Sequence, residues 1–418
     1  MKSKRLNITN NEQKFLLRKF GINNIEDIDI AVLKQLKENL KCLTDSRQQS
    51  KISYKIWDIV ICVILSNLTN ISDWEDIPTF VESKKEFLKK FLKLTGGIPH
   101  YITYERVFCI IDPKELENIL NKFISNIIFN VCIEKDIINI DGRVSRGSSR
   151  KETNYNEEIK PLNVLNAYSN NHGICLASEM IEEKTNEIPT IPTILERLKI
   201  DDTIITWDAL NTQKANVEIV KNKKGDYVVP IKKNHPNFNA DLELYFDEEI
   251  QEQIIAGKPN SSYLKQEEKS HSCFITYEYF QTSDIKWYQE YKEWKGLNTF
   301  GMVKKTIIKN HETKIEKRYY ISSLNIDINL FSKAIRNHWS VENKLHWHLD
   351  FTFREDKNTT INKTALMNLQ IINKFCLAIL SKAKSYYNNV SLKKIRYKLS
   401  LDFEQEFINL LCYLALSN

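Results

Sequence analysis

At 418 residues the chain exceeds the ~250 to 300 residues over which one hydrophobic core grows, so several folding units are expected. A net charge of +6 permits a polyanionic partner without requiring one. The eight cysteines (Cys42, Cys62, Cys109, Cys132, Cys175, Cys273, Cys376 and Cys412) stand singly among mostly apolar neighbours, which argues against a disulfide scaffold or a cysteine zinc site and suits a reducing cytosol. Lys2, Lys4 and Arg5 run into polar Asn7, Thr9, Asn10 and Asn11, so no secretory signal is expected. The most apolar segment, Ile56 to Leu68, is shorter than the ~20 residues that cross a bilayer and contains Asp58 and Asn67. A cytoplasmic protein without a membrane partner is the expectation.

Residues 1–50 are polar, with amphipathic patches at Phe15 to Phe20 and Ile30 to Leu40; short helices or a partly ordered arm would both fit. In residues 51–133 apolar side chains recur at helical spacing (Trp57, Val60, Ile61, Ile64; Trp74, Ile77, Phe80; Phe87, Leu88, Phe91), which predicts an all-helical unit. Gly96-Gly97-Ile98-Pro99 breaks it, and Thr103 is the expected N-cap of a helix carrying an exposed Arg106. A helix-turn-helix set on DNA and a plain αα-hairpin fit equally well.

Residues 134–236 alternate strands and helices. Asp136-Ile137-Ile138-Asn139-Ile140-Asp141-Gly142 reads as a buried strand that delivers Asp141 beside a glycine. The segment Arg143 to Pro161 is polar and expected to be an exposed loop. Leu162 to Tyr168 and Ile174 to Met180 flank Ser169-Asn170-Asn171-His172-Gly173, a hairpin signal. A helix over Pro189 to Leu198 leads to the strand Thr203 to Trp207, which ends in Asp208. A helix at Thr212 to Lys221, a strand at Tyr227 to Ile231 and the basic turn Lys232-Lys233-Asn234-His235-Pro236 follow. Residues 237–327 begin with an acidic helix at Asp241 to Glu252 and continue as strands near Cys273 to Phe280, Phe300 to Ile308 and Ile315 to Ile321, a β-rich insertion. Residues 328–385 are helical from Phe331 past Leu349 and carry Glu342, with a further apolar helix at Ala365 to Ile379. The tail, 386–418, is helical with a basic start at Lys393, Lys394 and Arg396.

An acid on the first strand, one after the fourth and one on a later helix suit phosphodiester chemistry, in which hard divalent cations held by carboxylates activate one oxygen and stabilise another. The order βββαβ-α-β-α lets the first and fourth strands lie side by side, so the expected fold class is α/β, a ribonuclease-H-like mixed sheet with a β-rich insertion between helical regions. His338, Glu342, His346 and Asp350, spaced by four, form a polar stripe suited to metal or phosphate. A zinc pair at His346 and His348 competes poorly, because positions two apart on a helix diverge by roughly 200°. Trp207 and Trp339 are expected to pack rather than stack on bases.

Several motifs occur together: Trp74-Glu75-Asp76-Ile77; Gly97-Ile98-Pro99 with Thr103; Ile140-Asp141-Gly142; Glu183-Lys184-Thr185-Asn186-Glu187-Ile188 before Ile191-Pro192; Asp208-Ala209; Gly225-Asp226-Tyr227-Val228; Tyr319 to Leu324; and His338-Trp339-Ser340-Val341-Glu342-Asn343 leading to His346 to Asp350 and Phe353 to Asp356. In these the chain resembles the bacterial insertion-sequence transposases of the DDE type, in the branch that includes the H-repeat-associated proteins, from about Ile56 to Asn373. The resemblance implies that Asp141, Asp208 and Glu342 hold Mg²⁺ (or Mn²⁺). It implies cutting at the element's ends and joining of the freed 3′ hydroxyl to target DNA by a nucleoid-associated homodimer, the N-terminal helices helping to hold transposon-end DNA. Arg143 stands where the family usually has Lys, and Lys232-Lys233-Asn234 where it has Lys-Gly-Asn. These positions, with Arg106, His338 and His346, are the expected DNA contacts. Lys223, Lys224, Lys304, Lys305, Lys393, Lys394 and Arg396 are weaker candidates. The Tyr, Arg, Glu, Lys signature of related transposases is broken, with His338 four before Glu342 and Leu349 seven after it. The alternatives are a decayed or domesticated copy that binds DNA without cutting, and a small-substrate metallohydrolase using His346 and His348.

Overall fold

The computed structural model describes residues 8–94, 96–127, 136–151, 158–182, 187–270, 273–310 and 312–416. Cys132 and the motif residues Glu183 to Asn186 lie outside them. Seven helices come first, α1 (Asn10–Phe20), α2 (Ile28–Leu40), α3 (Ile56–Leu68), α4 (Ile77–Ser83), α5 (Lys85–Leu88), α6 (Tyr101–Phe108) and α7 (Pro113–Ile127). They share one apolar core with the last three, α14 (Lys363–Lys382), α15 (Leu392–Leu401) and α16 (Phe403–Leu416): Leu16, Val32, Ile61, Phe108, Phe375 and Leu410 belong to the same buried cluster. Residues 10–40 and 392–416 therefore pack into one body rather than standing as an arm and a tail. Helix α14 is long and apolar enough to span a bilayer, but Ala365 to Leu380 are buried at the centre of this body.

Between these helices lies a mixed nine-stranded sheet. β1 (Ile137–Ser145), β2 (Leu162–Ser169) and β3 (Ile174–Met180) are antiparallel neighbours, and β4 (Ile204–Trp207) and β5 (Asp226–Ile231) run parallel to β1. β6 (Ser261–Ser270), β7 (Cys273–Thr282), β8 (Thr299–Lys309) and β9 (Glu312–Ser322) extend it, in the order β3-β2-β1-β4-β5-β9-β8-β7-β6. The insertion is thus continuous with the sheet. Ser323 Oγ donates to Asp226 Oδ1 at 2.6 Å and accepts from the Tyr227 N–H at 3.0 Å, fastening the two halves at the β5–β9 seam. Helices α8 (Thr190–Arg197) and α9 (Lys214–Asn222) cover one face, where Ile138 and Ile140 meet Ile191, Ile194 and Val217. The other face takes α12 (Ile328–His338), against Ile137, Ile204 and Val228. Burial on both faces explains why Ile dominates β1 up to Ile140 and opens β4.

Several expectations need correction. The N-cap of α6 is His100, whose side chain accepts from the Ile102 N–H, and Thr103 lies inside the helix. The acidic helix is two, α10 (Pro236–Tyr245) and α11 (Glu248–Ile255), because Asp247 turns to cap the second through the Ile250 N–H at 2.8 Å. β1 does not stop at Gly142; it continues through Arg143 to Ser145, and Arg143, Ser145 and Ser148 are buried rather than exposed in a loop. Arg396 is 1 % exposed, donates to the Asn67 and Thr352 carbonyls and stacks on Phe353, so it is framework and not a DNA contact. Lys223 likewise satisfies the carbonyls at the end of α8.

Helix α12 can sit low on the sheet because Gly301 of β8 lies beneath Phe331. A Cβ at Gly301 would come within 2.8 Å of Phe331 Cε2. Gly301→Ala should therefore lower stability by about 1 to 3 kcal/mol through overpacking. Denaturant unfolding should show the loss, and Phe331→Leu in the same chain should recover part of it.

Candidate active site at the ends of the first and fourth strands

Ile140 pairs with Trp207 as the last rung between β1 and β4. The next residues, Asp141 and Asp208, therefore stand side by side where β4 ends in the turn Ala209–Asn211 and β1 runs on beside β2. Strand alternation points Asp141, like Ile137 and Asn139, toward α12. Buried Asn139 fixes that helix: its Nδ2 donates to the Asn337 carbonyl, and its Oδ1 accepts from Thr206 Oγ1 at 2.7 Å. Ser340 Oγ bonds Asn170 Oδ1, and Asn170 Nδ2 reaches the Ile137 carbonyl at 3.0 Å.

Beyond α12 the chain forms a π-helical segment, Val341–His346, and then α13 (Trp347–Phe351). A turn closed by i→i+5 bonds accommodates an extra residue, a feature common at functional sites. Residues four apart consequently stay on the sheet side. His338 Nε2 lies 3.6 Å from Asp208 Oδ1, His346 Nδ1 lies 3.5 Å from Asp141 Oδ2, and Asp350 pairs with Arg143. His348 turns elsewhere, to Thr352 Oγ1 at 3.1 Å, so His346 and His348 do not form a metal pair.

The acids are electrostatically distinct. Burial first, then the nearby charges of Asp208, Glu187 and Glu342, together raise the Asp141 carboxyl to about 8, against one opposing bond from the Gly142 N–H. Asp208 is held below the usual carboxylate range by the adjacent His338 ring, against the effect of burial, with help from the charges of Lys232 and Arg318. Thr206 spends its one proton on Asn139, so its oxygen accepts from His338 Nδ1–H at 3.0 Å, which leaves the ring's Nε2 facing Asp208. His346 is pushed down to about 3 by burial, with the charges of Arg143 and Lys374 adding to it. Its contact with Asp141 is therefore no ion pair, and its Nε2 has no hydrogen-bond partner.

The other expected contacts divide. Arg143 is 8 % exposed and bonded to both Asp350 and Glu355, so it braces the site and offers no free cation to phosphate. His338 and His346 face the acids. Lys232, Lys233 and Arg106 are exposed, and Asn234 ties its turn to the Ala209 carbonyl at 2.6 Å. Lys232 shares a cavity of about 380 Å³ with Asp208, Arg318, His338, Trp339 and Tyr320. A second cavity of about 330 Å³ adjoins it, lined by Tyr277, Lys305, Arg318 and Arg336. Trp339 stands between Lys305 and Arg318, with ring distances of 5.4 and 5.0 Å. Trp207 is wholly buried, as expected for packing. Sequence reasoning missed Asn139, Arg318 and the proximity of Glu187. Only Glu187 left a signal, as part of a motif.

The donor set fits a hard divalent cation in type, being carboxylate oxygens, and in sign, since a cation would relieve the repulsion felt by Asp141. Among the described residues, no three His, Cys, Asp or Glu side chains already form a coordinating cluster.

The family model described as the transposase DDE domain matches residues 133–379, and the DDE_Tnp_1-associated model matches residues 37–124. The chain belongs to the DDE transposase family. It is 29 % identical over 380 residues to "Putative transposase YncI" of Escherichia coli O157:H7, covering 90 % of this chain and 95 % of that one. It is 32 % identical to "H repeat-associated putative transposase YhhI" of Escherichia coli strain K12, covering 78 % and 84 %. The "Inactive transposase YbfQ" of the same strain is 36 % identical over 75 residues, 18 % of this chain and 89 % of that one. Among solved structures, the piggyBac transposase synaptic complex with hairpin DNA matches at 12 % identity and a TM-score of 0.36, over 97 % of this chain and 84 % of that one, too loosely to support any conclusion.

Asp141 ionises at about 8 in the folded chain and near 4 when unfolded. Between these values the folded state holds the extra proton, so stability falls as pH rises from about 4 to about 8. Asp141→Asn removes this slope. In thermal unfolding of the metal-free protein at pH 5 and pH 8, the wild type should lose more stability than the variant; equal losses would contradict the site's electrostatics.

Proposed function

We propose that the chain is a cation-dependent DNA nuclease and strand-transferase that cuts at the ends of an insertion sequence and joins the freed 3′ hydroxyl to target DNA. The carrying observation is the register Ile140 to Trp207, which sets Asp141 and Asp208 side by side at the ends of adjacent parallel strands; Glu342, exposed on the π segment, is near enough for its charge to raise the Asp141 carboxyl. A ribonuclease-H-like framework is supported by the order β3-β2-β1-β4-β5, with β2 alone reversed.

Asp141, Asp208 and Glu342 would hold Mg²⁺ or Mn²⁺. Such a cation supplies activation of an attacking oxygen and stabilisation of a leaving one. To take part, Asp141 gives up the proton its surroundings favour, and neutral His346 adds no charge that would compete for the carboxylate. His338 faces Asp208 through Nε2 and positions it. Lys232 and Arg318 flank Asp208 and guide a phosphate backbone to it, with Lys233 and Asn234 continuing the path and Arg106 serving transposon-end DNA from the helical body. The working form is a homodimer on end and target DNA, in the cytoplasm at the nucleoid.

One observation favours a second reading, a DNA-binding protein without catalysis: at rest the two aspartates meet histidines and form no ready coordination shell. A cleavage assay on the DNA flanking the gene decides between them. With Mg²⁺ the wild type should nick the element ends, while Asp141→Asn, Asp208→Asn, Glu342→Gln and a metal-free control should not, although Asp141→Asn still binds the ends. End binding without wild-type cleavage would establish the second reading.

A further inference from the structure

The geometry points to Glu187 as a fourth carboxylate of the acidic site, a catalytic residue that shares the divalent cation with Asp141, Asp208 and Glu342; this rests on the cation-dependent reading above. Glu187 lies in the turn that leads into α8, where its carbonyl accepts from the N–H groups of Thr190 at 2.9 Å and Ile191 at 3.2 Å, so its backbone is fixed. Its side chain reaches β1 at the point where β4 has ended and the flank of Asp141-Gly142 is open.

Two features hold the carboxylate there. Glu187 Oε1 occupies the space a side chain at position 142 would need: a Cβ on Gly142 would overlap that oxygen and lie 2.7 Å from Glu187 Cδ. Gly142 has no positive φ, so its lack of a side chain serves close approach rather than a turn. On the other side, Asn211 Nδ2 donates to Glu187 Oε2 at 2.7 Å. Asn211 is fully buried in the turn that begins at Asp208, and its own Oδ1 has no partner. One residue beside each aspartate thus positions Glu187, a Gly next to Asp141 and an Asn three past Asp208. No Lys or Arg bonds or pairs with this carboxylate among the described contacts. A carboxylate brought beside two others without a cationic partner is costly unless a cation joins them.

The test is Mn²⁺ uptake by the full-length, metal-free protein, followed by the electron paramagnetic resonance signal of free Mn²⁺. Glu187→Gln keeps an acceptor for Asn211 and removes only the charge. It should weaken Mn²⁺ binding about 10- to 100-fold, the scale seen when groups around a metal are altered. Gly142→Ala should reproduce the loss with the carboxylate present but displaced, and the double variant should lose little more. It also decides the matter if Glu187→Gln fails to fold. Wild-type affinity in both variants would overturn the role of Glu187 alone. A wild-type chain that takes up no Mn²⁺ would overturn this role and the cation-dependent reading together.

Discussion

The site depends on a buried amide. Asn139 has no solvent exposure, and it joins β1, β4 and α12 at one point: its oxygen takes the Thr206 proton, and its nitrogen faces the Asn337 carbonyl and Ser340 Oγ. Each buried polar group left unpaired costs about 1 to 3 kcal/mol, so the arrangement is specific in a way that apolar packing of α12 is not. Apolar contacts at Phe331, Ala334 and Ile335 would tolerate some sliding of the helix on the sheet. The bonds of Asn139 would not, and they decide that His338 meets Asp208 and that the π segment opens beside Asp141.

Negative charge is then concentrated where the anchored helix meets the strand ends, and the protein manages it in two ways. Around Arg143 it is neutralised internally. The guanidinium bonds Asp350 and Glu355 at once, and Asn373 Nδ2 takes the remaining Glu355 oxygen at 2.8 Å. Lys, a point charge on a flexible stem, could not bridge two carboxylates in that fixed geometry. Around Asp141 the charge is left uncompensated, and a proton resides there until about pH 8. Two neighbouring aspartates with their ionisation pushed in opposite directions, one by burial and like charge and the other by a histidine, mark a site rather than a structural ion pair.

The sequence made much of this visible where local and global signals agree. β1, β4 and the β2–β3 hairpin were legible because largely apolar stretches bounded by turn residues suit buried strands. The pairing of Asp141 with Asp208 followed from their matching strand ends. Glu342 was singled out by the four-residue spacing of His338, Glu342, His346 and Asp350, although a lone acid on a helix is ordinarily solvated, and the family resemblance added to that reading. β6 was illegible: Ser261 to Ser270 reads SSYLKQEEKS, the charged composition that protects an edge strand. The burial of Arg143 was hidden because its partners lie 207 and 212 residues away. The π segment leaves no mark in helical periodicity, and the first fifty residues look like an arm until α16 supplies the surface that Leu16 packs against.

That long-range dependence reaches the acids. Trp74 Nε1 donates to Thr360 Oγ1 at 2.8 Å, and Arg396 holds the carbonyls of Asn67 and Thr352. Between Thr352 and Thr360 lies Glu355, the partner of Arg143 on β1. Gln370 and Lys374 of α14 add bonds to Ser145 of β1 and Ser178 of β3. The helical body contributed by both chain ends thus clamps the segment that braces the strand bearing Asp141. A fragment that ended with the π segment would keep the three acids in sequence yet lose Asp350 and Glu355, the partners that satisfy Arg143. An unpaired buried guanidinium is among the costliest groups a fold can contain. The helices that open and close the chain are, on this argument, part of what holds the acidic residues in register.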